Sequence, residues 1–374
     1  MTLDVRLTRL EEPARLAVAW QELETRAEAS FFQSWLWIGA WLEATAARPL
    51  VLTAHQEGKL VGLGLLSERQ LRRHGVLPVR QLLLNESGRP EQDCLAIEYN
   101  GFLLARDVAP DTVARLLRSL DGDWQELVLS GVPESYAAAA RTVGLHVEID
   151  RNSPCYVIDL AGLRIAGQTW LKSLSANSRG QIRQATRRAE RVGPLTIEQA
   201  ATVAEALEFF DELVTLHQSR WQGKGKAGAF GTPFERNFHH HLISIGAGSG
   251  RVQLVRVTAG EQIVGYLYNF LHRHQVMNYQ GGFRYGDDNR DRPGLVAHAL
   301  CIGMADEAGF GQYNFLAGDS RYKRSLGRCD ESLIWCRVQR PRLGFSIERA
   351  ARRAKQWIVR GGSPESTGIG RGRA

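Results

Sequence analysis

The sequence predicts an α/β chain of the α+β kind, folded as two similar halves. Helical and strand periodicities are interspersed along its length, which argues for layers of helix and sheet and against a bundle or a sandwich. At 374 residues the chain exceeds what one hydrophobic core ordinarily serves, and about 150 residues per domain makes two the expectation. One hairpin also occurs twice, EGKLVGLGLL around Gly62 and AGEQIVGYLY around Gly265. Each is a polar turn leading into an apolar strand with a glycine after a valine.

The elements follow from local pattern. Residues 13–28 place Leu16, Trp20 and Leu23 on one helical face, and residues 34–46 place Trp35, Ile38 and Leu42 likewise, with Ser34 as N-cap. The first hairpin follows. Strands are expected at 79–84, 95–104, 124–130 and 155–160, with helices at 111–120, capped by Asp111, and 133–143. The second half repeats the order: helices at 175–192, 202–222 and 233–245, then the second hairpin. A polar loop, FRYGDDNRDRPG, opens a helix over 293–308, and a short strand holds Tyr313 and Phe315. LAGLRIAGQ separates the halves, giving divisions 1–160, 161–340 and 341–374. The last comprises a basic amphipathic helix at 345–359, using Ile347, Ala351, Trp357 and Ile358, and a disordered tail.

Composition excludes several classes. Apolar content of 44% and charged content of 23% are ordinary globular values. A net charge of +7 permits an anionic substrate or membrane surface without implying nucleic acid. Five scattered cysteines without a CxxC pair fit a reducing cytosol. The N-terminal stretch lacks the pattern of a signal peptide, and no run reaches the ~18 apolar residues of a membrane span. The expected location is cytoplasmic, with peripheral contact at the inner membrane through the C-terminal helix as an option.

Four stretches carry a family resemblance: FFQSWLWIGAWLEA, SLSANSRGQIRQATRRAERVG, LHQSRWQGKGKAGAF and FLAGDSRYKRSLG. In this order they resemble the GNAT acyltransferase superfamily, and within it the CelD/BioF2-like branch related to the FemABX peptidyltransferases. The resemblance implies two tandem GNAT-like domains, each a mixed twisted sheet flanked by helices, with a donor in a V-shaped gap between parallel strands. It implies a catalytic second half and a first half that shapes the acceptor groove. The usual [RQ]xxGx[GA] donor loop is replaced by Arg290-Asp291-Arg292-Pro293-Gly294-Leu295, as in the Pro-Gly version of the CelD-like branch.

At that loop, Pro293 suits a first helical turn, Gly294 lets a phosphate approach the backbone, Leu295 follows in the same turn and Arg292 adds a charge-assisted bond. An ordinary proline-started helix is the alternative. Tyr322-Lys323-Arg324-Ser325-Leu326-Gly327 matches the Fem-like [FY]K-x-x-[FL]-G setting, which implies that Lys323 faces the donor carbonyl or a substrate phosphate; a surface lysine paired to Asp319 is the alternative. Asp319 either orients Lys323 or is a turn residue. His217 and Tyr279 are the candidates for a base. His217, Arg220 and Trp221 share a helical face, which either presents acceptor contacts or packs into the core. Arg179, Arg183, Arg187 and Arg191 form a stripe, either a solvated face or a surface for a phosphate-rich substrate, with Arg183 as the acceptor contact.

No HExxH or GxSxG occurs, and His239, His240 and His241 are consecutive, so their side chains diverge and no metal is expected. Asp287 and Asp288 lack the rest of a calcium loop. The expected activity is N-acyl (acetyl-like) transfer from acyl-CoA, a co-substrate rather than a resident cofactor, to an amine in polysaccharide, envelope or metabolite synthesis. The alternatives are Fem-like transfer from aminoacyl-tRNA, the one setting in which nucleic acid is a partner, and a non-catalytic binding protein of an envelope-synthesis complex.

Overall fold

The computed structural model describes residues 3–286, 288 and 290–359, the side chains of 352–359 excepted. The expected disordered tail, Asp287, and the side chains of Trp357 and Ile358 lie outside the described residues. The first half runs β1 (Leu3–Arg9), α1 (Pro13–Arg26), a 3₁₀ turn (Phe31–Gln33), α2 (Trp35–Thr45), β2 (Leu50–Gln56), β3 (Lys59–Arg73) and β4 (Leu77–Leu84). It continues through β5 (Leu103–Leu104), α3 (Thr112–Ser119), β6 (Glu126–Pro133), α4 (Ser135–Thr142) and β7 (His146–Asp159). After the short α5 (Leu160–Ile165) and α6 (Trp170–Ser173) come α7 (Ala176–Glu190), β8 (Leu195–Gln199), α8 (Val203–Gln222) and α9 (Pro233–Gly246). Then follow β9 (Val252–Ala259), β10 (Gln262–His272), β11 (Gln275–Phe283), α10 (Pro293–Glu307) and β12 (Gln312–Ala317). The chain closes with α11 (Arg321–Leu326), β13 (Arg328–Gln339) and α12 (Leu343–Val359).

All the strands but β5 lie along one path, β1-β2-β3-β4-β6-β13-β7-β12-β11-β10-β9-β8, with β5 paired to β3. Pairing is antiparallel except at β4/β6 and β11/β12, where the strands run parallel over three residue pairs each. The halves exchange their last strands. β13 pairs with β6 of the first half, β7 pairs with β12 of the second, and β7 and β13 form the seam. The repeated hairpin is repeated in detail: the register skips Val61 in β3 and Val264 in β10, just before Gly62 and Gly265. A bulge at the same place in both halves gives a local kink and added twist to each end of the sheet.

The FFQSWLW stretch is an inter-half wedge. Phe31 stacks on Phe270 with ring centroids 4.0 Å apart, and Trp37 meets Phe238 edge-on at 5.0 Å. Gln33 ties the wedge down: its carbonyl accepts the Trp20 indole N–H at 2.8 Å and its amide donates to the Phe102 carbonyl at 3.0 Å. Ser34 caps α2 as expected, its hydroxyl accepting the Trp37 N–H.

Three expectations are corrected. Residues 95–104 do not form a strand beyond Leu103–Leu104, because their polar side chains, rather than a ladder, satisfy the neighbouring backbone. Asp111 precedes α3 without a side-chain capping bond. Two edge strands, β1 and β8, were not anticipated. The helix α12 starts packed rather than free: Phe345 is buried beneath Arg73, whose guanidinium pairs with Glu126 at 2.6 Å and Glu348 at 3.1 Å. Leu343 and Ile347 remain exposed, and no helix among the described residues is long and apolar enough to cross a membrane.

Candidate active site

In the second half β11 and β12 are paired only from Gln275↔Gln312 to Met277↔Asn314, and past that point they part. Two irregularities shape the gap. The β10/β11 register skips Tyr279, which lies between the pairs Tyr268↔Gln280 and Asn269↔Asn278. On β12 the pairing to β7 breaks between Asn314 and Ala317, and Leu316 adopts φ 60°. A non-glycine residue in that region is uncommon and costs about 1–3 kcal/mol, a strain found mostly at functional sites. The Asn314 side-chain oxygen supports the bend by accepting the Leu316 N–H at 2.7 Å.

The bend aims backbone carbonyls at Lys323. Its ammonium donates to the Ala317 carbonyl at 2.7 Å and the Leu316 carbonyl at 3.3 Å, at the edge of a cavity of about 480 Å³. Burial pulls the Lys323 pKa below its usual value, while Glu98 and Cys155 oppose the shift. Glu98 comes from the first half. It is 8% exposed, and its carboxylate accepts the Ala317 N–H at 2.5 Å. Burial pushes its pKa up to about 7, with the Ala317 N–H, Lys323 and Arg151 pulling the other way.

The same cavity reaches the N-terminus of α10, lined there by Arg292, Gly294 and Leu295, with Pro293 buried behind them at the first helical position. A helix start presents unpaired N–H groups and a partial positive charge. Arg292 sits at φ 43°, and one of its guanidinium nitrogens is buried with no partner. The loop before it is braced by Arg188, which pairs with Asp288 and Asp291 at 2.7 Å each. The residues present therefore suit an anionic group such as a donor phosphate.

His217, Arg220, Trp221 and Tyr279 also line this cavity. His217 is not free to act as a base: Nε2 accepts the Ala229 N–H at 3.2 Å, so the proton lies on Nδ1, which donates to the Gly281 carbonyl at 3.1 Å. Burial lowers its pKa further. The Tyr279 hydroxyl bonds the Ala96 backbone, and burial raises its pKa, so it stays neutral. Arg220 stacks over Tyr285 at 4.2 Å, and Lys224 and Lys226 flank Trp221 at 5.3 and 5.6 Å, a cationic and aromatic rim.

Two expected residues lie elsewhere. Asp319 turns to Arg324 at 2.7 Å and the Tyr156 hydroxyl at 3.0 Å, which fits a turn residue; the carboxylate beside Lys323 is Glu98. Arg183 is exposed on α7, outside the cavity lining. His298 was not foreseen. It lines the cavity, its Nδ1 lies 3.1 Å from the Tyr313 hydroxyl, and its ring stacks on Tyr322. Burial, aided by Lys323, lowers its pKa to about 3. His239, His240 and His241 diverge, to Tyr268, Asp211 and Glu43. Among the described residues no cluster of three or more His, Cys, Asp or Glu is placed to hold a metal.

Residues 176–324 match the family model described as an acetyltransferase (GNAT) domain. The match includes Arg292 and Lys323 and leaves out Glu98. No curated protein matches the chain by sequence. Among solved structures, FemX superposes with a TM-score of 0.55 at 11% identity, covering 87% of this chain and 96% of that one. The C-terminal domain of a protein described as a lysylphosphatidylglycerol synthetase from Agrobacterium fabrum gives 0.53 at 12%, covering 92% and 96%. L-PGS from Bacillus licheniformis gives 0.51 at 12%, covering 91% and 97%. At these identities the likeness establishes the fold alone, and the function rests on the site.

Proposed function

We propose that this chain transfers an acyl group from acyl-CoA to the amine of an acceptor. One observation carries the reading: the α10 mouth with the unpartnered Arg292 nitrogen and the Lys323 ammonium open onto a single cavity where β11 and β12 part. The donor phosphates are held by the first turn of α10 and Arg292. The acyl carbonyl lies toward Lys323, and the developing oxyanion is met by a cation already fixed by two backbone carbonyls. A preorganised donor of this kind is worth about 3 kcal/mol in the transition state. The rim of Arg220, Trp221 and Tyr285 guides the acceptor, an amine of polysaccharide, envelope or small-metabolite chemistry. Three of the five cysteines are buried free thiols, in keeping with a cytosolic setting.

A second reading takes an aminoacyl-tRNA as donor. The exposed Arg183 and Arg187 of α7 favour it, because Arg188 on the same helix anchors the loop at the α10 mouth. Ligand-dependent stability separates the two. A donor at 100 times its Kd stabilises the fold by about 2.7 kcal/mol. Acetyl-CoA, palmitoyl-CoA, free CoA and a charged tRNA are compared in urea melts, and stabilisation by an acyl-CoA is expected. Stabilisation by charged tRNA alone selects the second reading. Stabilisation by none rejects both and leaves a GNAT-like binding protein.

A further inference from the structure

The first half also has a parallel pair that parts, β4 and β6, past Leu83↔Val128. There the gap is filled by the chain itself. The Asn100 N–H donates to the Gly131 carbonyl on β6 at 3.0 Å, and its side-chain amide donates to the Leu84 carbonyl on β4 at 3.0 Å. Asn85 locks the plug from below, donating to the Asn100 side-chain oxygen at 2.8 Å and the Gly101 carbonyl at 3.1 Å. Residues 97–101 are thus clamped across the split, and Glu98 is carried over to the second half. Within the cavity, the Leu316–Ala317 peptide is gripped at both ends, its carbonyl by Lys323 and its N–H by Glu98.

Resting on the acyl-transfer reading, we infer that Glu98 is the general base that takes the proton from the acceptor's ammonium, so that each half supplies one charged group of the reaction. An alkyl ammonium has no lone pair, and attack requires that a proton leave first. The cavity's histidines and tyrosines are unsuited: both His217 nitrogens are engaged, burial lowers the His298 pKa to about 3, and burial raises the pKa of Tyr279, Tyr285 and Tyr322, keeping them neutral. The groups that face Glu98 are Lys323 and Tyr322 from α11, Tyr279 from β11, and Arg151 and Cys155 from β7. Burial outweighs the two cations, so the carboxyl titrates near neutrality, where a base is most effective.

The ammonium N–H bond breaks and its proton passes to a Glu98 carboxylate oxygen. The freed lone pair forms the N–C bond while the carbonyl electrons move onto oxygen, opposite Lys323. Collapse of the adduct breaks the C–S bond of the thioester, and the second amine proton leaves with the thiolate as thiol. Glu98 then returns its proton to solvent.

The test uses the full chain with whichever donor stabilises it, and two small acceptors: ethanolamine, protonated at neutral pH, and methoxyamine, unprotonated there. Glu98→Gln preserves an oxygen for the Ala317 N–H. It is expected to slow transfer to ethanolamine by about 10²–10⁴-fold, to spare methoxyamine, and to move the acid limb of kcat/KM up from near pH 7. Glu98→Asp restores the limb. An equal loss on both acceptors with an unmoved limb overturns the base role while acyl transfer stands. No wild-type transfer to either acceptor overturns the acyl-transfer reading and this inference with it.

Discussion

Gly131→Ala tests whether the plug in the first half is as tightly fitted as its geometry requires. Gly131 has φ 65°, and a Cβ there would fall closer than 3.0 Å to the Ile97 carbonyl oxygen and 3.2 Å from the Glu98 Cα. Both obstacles are backbone, so no side-chain rotation relieves them. The segment cannot retreat easily, since the next residues are pinned by the Asn100–Gly131 and Asn100–Leu84 bonds. The left-handed conformation costs alanine about 1–2 kcal/mol. Overpacking against fixed backbone adds about 1–3 kcal/mol. Gly167→Ala isolates the first contribution, because Gly167 has φ 63° and nothing within 4 Å of where a Cβ would stand. Urea unfolding at pH 7 should therefore place Gly131→Ala below Gly167→Ala by about 1–3 kcal/mol. It should also weaken transfer to protonated amines, because the displaced segment carries Glu98. Equal stabilities for the two variants would refute the close fit of the plug.

Lys323→Met removes the cation facing the carbonyl and should lower kcat by about 10²–10³-fold with donor affinity little changed; turnover like wild type eliminates the role. Arg292→Met should raise the donor Kd about tenfold, the loss of one charge-assisted bond, without loss of stability in urea, because the buried nitrogen it removes has no partner. Unchanged donor affinity would detach Arg292 from the phosphates. Stability against pH tests Glu98 without any substrate. Its folded pKa is raised from 4.5 to about 7, so the folded state holds a proton the unfolded chain has released, and stability falls as pH rises through that window. The shift corresponds to roughly 3 kcal/mol. Glu98→Gln should remove that slope, its stability gaining on wild type from pH 4.5 to 7 and no further above. A constant difference across the range would place the carboxyl in an ordinary environment.

Much of this was legible because it depends on local pattern. Ser34 and Pro293 mark helix starts by residue type, and the amphipathic spacing of Leu16, Trp20 and Leu23 marks a buried face. The valine–glycine repeat of the two hairpins pointed to two similar halves, and the structure adds a bulge at the same place in each hairpin. His217, Arg220, Trp221, Tyr279, Arg292 and Lys323 converge because they sit at corresponding levels on α8, β11, α10 and α11. What escaped depends on partners far along the chain. The alternation Leu3, Val5, Leu7 does signal β1, but a seven-residue edge strand with polar neighbours is a weak pattern. Residues 95–104 have strand-like apolar residues, and nothing local shows that Asn85 and Gly131 will hold them as a plug. Glu98 is one acidic residue among many, more than two hundred positions from Lys323, and only the closed fold sets it on the Ala317 N–H.

The plug and the base are one structural feature. The chain that seals the split between β4 and β6 is the same chain that delivers Glu98, so the first half's loss of an open split and its contribution to the other half's cavity cannot be separated. For that contribution to have fixed geometry, the halves must not slide against each other by even a fraction of the 2.5 Å bond between Glu98 and Ala317. The exchanged strands meet this requirement. β12, which carries Ala317, is hydrogen-bonded to β7 of the first half, and β7 is bonded in turn to β13, which is bonded to β6 beside Gly131. A backbone ladder interrupted only by bulges thus runs from the plug's anchor to the bend that holds Lys323, and the Phe31–Phe270 stack clamps the two halves together elsewhere in the core. Rigid ladders transmit position better than side-chain contacts, which accounts for a two-half chain whose site draws on both halves and yet opens in only one of the two splits.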